Sequence, residues 1–170
     1  MYTHPSCLIK YRQEGLSMKL KKLLICLAVP LAVGGLSALL SGGMSDYEAL
    51  VKPPLSPPGW LFPIVWTILF LLMGYASYRV LTADAPKEEK RKALTVYGGQ
   101  LVLNFLWSPV FFGLGWLLAA FFILVALWIT ILITGNLFSR IDKTAGTLLL
   151  PYLLWVTFAG YLNFAFILLN

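Results

Sequence analysis

Acidic side chains are scarce in this chain, with 7 Asp and Glu in 170 residues, and none falls within any of its long apolar stretches. A proton-coupled antiporter that works through an embedded carboxylate therefore has no carrier here. The single histidine, His4, stands in the leader, which removes Ser/His and Cys/His nucleophile pairs, histidine metal clusters and histidine proton relays. Two cysteines, Cys7 and Cys26, have neither the number nor the placement of a disulfide framework or a metal site. Glycine-rich phosphate loops and carboxylate pairs in an apolar setting are also missing. Hydrolytic and metal-dependent chemistry has no residues to work with, and neither metal nor cofactor is expected.

What the chain has in abundance is apolar surface: 59% hydrophobic residues, 12% charged residues and a mean hydropathy of +0.82. That balance is wrong for a soluble domain and right for an integral membrane protein. Five stretches approach the spanning length, roughly 23–41, 60–81, 94–113, 115–138 and 147–169. The expected fold is an all-α membrane protein, a bundle of five transmembrane helices over residues 18–170. Residues 1–17 are read as an unstructured leader or a misassigned start, because Met18 is followed by a basic run and the first span. The first span is expected to be retained rather than cleaved as a signal peptide.

The charge of +6 is a topology signal and not a nucleic-acid footprint. Of 13 basic residues, 12 fall on one side of the five-span arrangement: Lys10, Arg12, Lys19, Lys21, Lys22, Arg79, Lys87, Lys90, Arg91, Lys92, Arg140 and Lys143. Only Lys52 falls opposite. By the positive-inside rule the N-terminus is expected in the cytoplasm and the C-terminus outside, in the plasma membrane.

The most organised stretch is 53–80. Pro53, Pro54, Pro57 and Pro58 enforce a stiff approach, and Pro63 falls in the first helical turn, where its missing N–H costs little. Within the span Trp66, Phe70, Met73 and Ser77 recur at i, i+4, i+7 and i+11 and share one stripe, which either packs or binds. The loop at 42–59 is expected to act as a lid, with one helical turn at 46–50. In the first span Gly34, Ala38 and Gly42 form a small-residue face suited to close helix packing. In the third span Gln100, Asn104, Trp107 and Phe111 share a face, amides in lipid point into the bundle, and Pro109 is expected to kink the helix beside them. The last span places Tyr152, Trp155, Ala159, Leu162 with Asn163, and Phe166 on a stripe. Trp60 and Trp116 read as interfacial belt residues.

Three segments, 57–80, 100–113 and 149–163, together resemble the tryptophan-rich sensory protein and translocator protein family, TspO/MBR, also called the peripheral-type benzodiazepine receptor family, over about residues 20–170. The resemblance implies five helices around a pocket open toward the first loop, a homodimer, and binding of porphyrins such as protoporphyrin IX and of sterols and benzodiazepine-like compounds. Position by position it implies a pocket lined by Trp66, Asn104, Trp107, Phe111, Trp155, Ala159 and Leu162, closed by Tyr47. Phe70 and Asn163 join them from the helical stripes. Asp46 stands where bacterial members often carry a Trp, and no basic residue follows the last helix, so a sterol motif at that end is incomplete. A porphyrin and tetrapyrrole receptor or carrier ranks first, light-dependent porphyrin degradation through Trp66 and Trp155 second, and a structural membrane protein third.

Overall fold

The computed structural model describes residues 5–42 and 51–170, with side chains from Gly15 onward. Among the described residues every regular element is helical. Helix α1 covers Pro5–Leu40, α2 Leu61–Thr82, α3 Lys87–Ser108, α4 Leu117–Ile141, the short α5 Lys143–Thr147 and α6 Leu150–Leu169. Tyr47, Asp46 and the turn expected at 46–50 lie outside the described residues. The helical backbone of α1 begins at Pro5, inside the segment read as a leader.

Four segments are long and apolar enough to cross a membrane: Gly15–Leu40, Leu61–Thr82, Leu117–Ile141 and Lys143–Leu169. Helix α3 does not qualify on composition. It starts seven residues before the expected span, because the Lys- and Glu-rich run is itself helical and Glu88 pairs with Arg91 one turn on at 2.7 Å. That charged opening dilutes the apolar second half, and the α-helix then hands over at Pro109 to a π-helical turn, Pro109–Gly113.

The π turn has a specific cause. Pro109 has no N–H to give to the carbonyl of Phe105 four residues back, so that oxygen is left free inside the bundle. Ser37 Oγ on α1 donates to it at 2.7 Å. One turn further out Ser41 Oγ and Ser108 Oγ are 2.7 Å apart, and Ser41 Oγ also lies 2.7 Å from the Ser37 carbonyl oxygen. The wider π geometry then closes with Leu114 N–H donating to the Pro109 carbonyl at 2.9 Å. The expected kink is thus a π bulge, and its freed carbonyl fastens α1 to α3.

Helix α1 packs against α2 and α3, α3 against α4, and α4 against α6, so the helices form a ring in the order α2, α1, α3, α4, α6. Aromatic side chains close the ring between α6 and α2, with Trp66 against Tyr152 at 6.0 Å and Phe62 against Trp155 at 6.0 Å. The centre is filled by the fully buried Met73, Ala76, Val80, Leu127, Phe138 and Tyr152. At one end, Val51 N–H donates to Asn170 Oδ1 at 3.0 Å, and Tyr161 Oη donates to the Pro54 carbonyl at 3.3 Å, which ties the proline loop to the end of α6. That loop contains a tight turn in which Ser56 N–H reaches the Pro53 carbonyl at 3.2 Å and Leu55 takes a φ of 68°.

At the opposite end Arg79 Nε and Nη2 donate to Asp142 Oδ2 at 2.9 and 2.8 Å, and Asp142 Oδ1 accepts from Ala145 N–H at 3.1 Å. Asp142 thereby caps α5 and ties it to the last turn of α2. The hydrogen bond from Arg79 holds the Asp142 carboxyl below its ordinary range.

Two outcomes are expected. Ser37→Ala should lower stability by about 0.5–2 kcal/mol, since the Phe105 carbonyl loses its partner. In a Pro109→Ala background, where residue 109 regains an N–H for that carbonyl, the same substitution should cost clearly less; a thermal-unfolding double-mutant cycle in detergent reads the difference. Because the folded Asp142 carboxyl titrates lower than the unfolded one, its contribution is present above the unfolded pKa and is lost as pH falls through the folded value. The stability gap between the native chain and Asp142→Asn should therefore be level above about pH 5 and close on further acidification, which melting curves over that range will show.

Candidate functional site

The α1 to α3 seam pulls the outer half of α1 toward α3, and between α1, α2 and α3 it leaves a cavity of about 450 Å³. Helix α1 supplies a floor of small groups, Gly34, Gly35, Ser37, Ala38 and Ser41, with Leu31 below them. Helix α2 supplies Phe62, Pro63, Trp66, Thr67 and Phe70, and α3 with its π turn supplies Asn104, Trp107, Ser108 and Phe112. The aromatic members are locked to one another. Trp66 stacks on Phe70 at 5.5 Å and tilts toward Trp107 at 6.1 Å, and Trp107 stacks on Phe111 at 5.5 Å.

Small residues make room for these rings. A Cβ on Gly34 would overlap the Phe70 ring, so glycine there is a seat for that side chain. Lower down, a Cβ on Gly74 would come within 2.6 Å of the Cys26 carbonyl oxygen, which places α1 and α2 backbone to backbone. The cavity therefore sits above a closed crossing.

Its polar content is small and directional. Asn104 Nδ2 donates to Tyr152 Oη at 2.9 Å, deep in the bundle, which leaves the Asn104 carbonyl as its open acceptor. Gln100 is fully buried below it, with Nε2 at 3.5 Å from the Met73 sulfur. Among the described residues no group of three or more His, Cys, Asp or Glu is arranged to hold a metal ion. The site can hold a flat apolar molecule between rings and meet one or two polar groups on it.

Comparison with known proteins identifies the family. The model of the TspO/MBR family matches residues 26–169. The tryptophan-rich protein TspO of Chlorobaculum tepidum is 44% identical over 87% of this chain and 95% of its own. The tryptophan-rich sensory protein of Cereibacter sphaeroides is 41% identical over 73% and 76%, and the translocator protein of Bos taurus is 35% identical over 72% and 73%. The chain belongs to the TspO/MBR family.

The residues singled out from the TspO/MBR resemblance fall into three places. Trp66, Phe70, Asn104 and Trp107 line the cavity. Phe111, Ala159, Leu162 and Asn163 instead surround a separate cleft of about 10 Å³, and Trp107, Phe62 and Phe112 form the wall shared by both spaces. Trp155 lines neither; it packs behind Phe62 and against Phe158 at 5.6 Å, with its Nε1 buried and unpartnered among the described residues. The stripe on α2 divides in function: Met73 and Ser77 are buried in packing, while Trp66 and Phe70 reach the cavity. Trp60 and Trp116 are exposed, at 65% and 62%.

Sequence reasoning missed the share of α1. It read the small-residue face as a helix contact, whereas Gly34 and Ala38 of that face, with Ser37 and Ser41 beside it, floor the cavity. It also passed over Phe62 and Phe112, each a phenylalanine among many with no polar companion to mark it. The serines at 37, 41 and 108 carried a usable signal, since Pro109 frees a carbonyl that some donor must answer.

Gly34→Ala should push Phe70 off its seat at a cost of about 1–3 kcal/mol. Near-ultraviolet circular dichroism of the Trp66–Phe70 stack should change with it, whereas Gly35→Ala, where an added Cβ meets open space, should leave both melting temperature and spectrum as they were.

Proposed function

We propose that this TspO/MBR protein is a membrane receptor or carrier that takes porphyrins and related tetrapyrroles into the aromatic cavity, in a sensory or transport role. The observation that carries the reading is the cavity itself. Its volume of about 450 Å³ falls in the range of small-molecule sites, and its wall is two indoles, three phenylalanine rings and one free amide carbonyl. A flat macrocycle gains roughly 0.5–1.5 kcal/mol per stacked ring pair beyond burial. The names of relatives, a sensory protein and a translocator protein, agree with such a role. In this reading Phe111, Trp155, Ala159, Leu162 and Asn163 extend the site toward α6, and Tyr47 closes it from the loop.

The membrane arrangement we propose has five spans, with α3 and its π turn as the third, the N-terminus cytoplasmic in the plasma membrane, and two copies associating as a homodimer. Support for the span count comes from the two ends of the bundle. The loop before α2 meets the last residue of α6 at one end, and the pair Arg79–Asp142 gathers the ends of α2 and α4 at the other. The basic residues cluster at the second end.

A second reading, light-driven breakdown of bound porphyrin, is favoured by one observation. Trp66 stands on the cavity wall with Trp107 at 6.1 Å, and Trp155 is linked to that wall through Phe62 at 6.0 Å. An excited porphyrin in the cavity would therefore lie beside an oxidisable indole.

Protoporphyrin IX titrated into the protein in lipid nanodiscs should quench indole fluorescence saturably. Trp66→Ala should weaken binding by on the order of 3 kcal/mol or less, Trp155→Phe should keep much of it, and Trp116→Phe should change nothing. Illumination of the complex separates the two readings, since steady Soret absorbance supports the carrier and its loss with product formation supports breakdown. Small and equal effects at Trp66, Trp155 and Trp116 would remove the cavity from consideration and favour a structural role.

A further inference from the structure

Away from the aromatic cavity, α4, α5 and the start of α6 enclose a groove of about 190 Å³ that shares no residue with it. Its floor is glycine. A Cβ on Gly146 would overlap Ser139 Oγ and come within 2.8 Å of the Gly135 carbonyl oxygen, so α5 rests on α4 backbone to backbone, whereas a Cβ on Gly135 would meet nothing within 4 Å. Open space begins at Gly135. Leu132 and Leu150 on the groove walls are exposed on the outside of the bundle, so the groove faces lipid.

The groove is graded in polarity along its length. Where α4 finishes, its lining is Asn136, Ser139 and Thr147, and further into the membrane it becomes Ile131, Leu132 and Leu153. Charge stands only at the polar end. Over residues 117–170 the cations are Arg140 and Lys143 and the one acid is Asp142, which is already engaged by Arg79 and by the Ala145 N–H. Arg140 Nε donates to Asn136 Oδ1 at 3.3 Å, which holds the guanidinium at the mouth of the groove. Its two Nη groups and the Lys143 ammonium have no partner among the described residues.

We propose that this groove binds one anionic phospholipid, with its phosphate held by Arg140 and Lys143, its ester region against Asn136, Ser139 and Thr147, and the upper part of one acyl chain lying over Gly135 toward Ile131 and Leu153. Cation, then amide and hydroxyl, then aliphatic wall is the order of groups along such a lipid. The planar fork of an arginine fits two phosphate oxygens at once, and a headgroup that carries no cation of its own leaves the phosphate to Arg140 and Lys143. A soluble phosphate ester has nothing to lay over Gly135, and a helix from a partner protein is too wide for a groove of this size.

The test uses the full chain in detergent, titrated with phosphatidylglycerol or phosphatidylcholine, with retained lipid counted by native mass spectrometry. The native protein should keep one phosphatidylglycerol in about tenfold preference to phosphatidylcholine, each cation near a headgroup contributing roughly fivefold. Arg140→Gln should lower that preference about fivefold, whereas Lys92→Gln, which removes one charge from the same end of the bundle on α3, should leave it unchanged. Gly135→Leu, whose side chain fills the groove, should lose the retained lipid while melting no lower than the native chain. If that variant does not fold, the paired change Arg140→Gln with Lys143→Gln carries the test and should bring the preference close to one. Equal losses in Arg140→Gln and Lys92→Gln would show a diffuse charge effect and overturn the groove as the site. Retention that survives Gly135→Leu overturns the seat for the chain, and displacement of the lipid by free glycerol phosphate overturns the lipid in favour of a soluble anion.

Discussion

The structure turns on one missing proton. In lipid every backbone carbonyl needs a partner from within the protein, and Pro109 withholds the N–H that the Phe105 carbonyl would otherwise receive. Ser37 supplies a hydroxyl in its place, and the Ser41–Ser108 pair repeats the link one turn out. Because α1 is committed to α3 at this height, it cannot also lie along α2. Below, at Gly74, the α1 and α2 backbones touch; above, they part, and the space between them is the cavity. A hydrogen-bond deficit on one helix thus sets the shape of a site on two others.

The size of the side chains then decides what the space is. Gly34 admits the Phe70 ring, Phe70 supports Trp66, Trp66 leans toward Trp107, and Trp107 is held from behind by Phe111 and Phe112. Each ring is placed by its neighbour in an offset or edge-on contact, the arrangements favoured by the aromatic quadrupole. In such a wall each ring restrains the next. The loop adds stiffness of another kind: Leu55 adopts the left-handed backbone region, normally left to glycine, because Pro54 before it and the turn to Ser56 dictate it. A strained turn anchored to Tyr161 and Asn170 is a fixed rim.

Much of this was legible in the sequence because membrane constraints are severe. Apolar length and the spacing of Trp66, Phe70, Asn104 and Trp107 each follow from rules with few exceptions, and the resemblance named the family that the comparisons show. The failures have physical causes. Periodicity could not distinguish the two uses of the small face on α1, because a glycine that admits a helix and one that admits a phenylalanine ring look alike in a string of letters. Helix stripes also say which residues share a face, not whether a ring from a neighbour will come between them. That is why Phe111, Ala159, Leu162 and Asn163 stand across a wall of Phe62 and Phe112 from the cavity.

The distribution of unpaired polar atoms follows the same logic further into the bundle. Asn104 meets Tyr152, and its amide is half satisfied; Gln100 Oε1 and Tyr97 Oη below it are buried without partners among the described residues. With Trp107 above, these groups recur on one face of α3 at three- and four-residue spacing, so the helix turns a polar edge toward α2 and α6 along most of its length. Unpaired edges of this kind weaken a bundle. Packing alone is served better by apolar side chains, which make up all of the buried face of α4 except Thr134. Of Tyr97, Gln100, Asn104 and Trp107 only Asn104 and Trp107 reach the cavity, so the polar edge runs from the packed centre of the bundle up to the cavity wall.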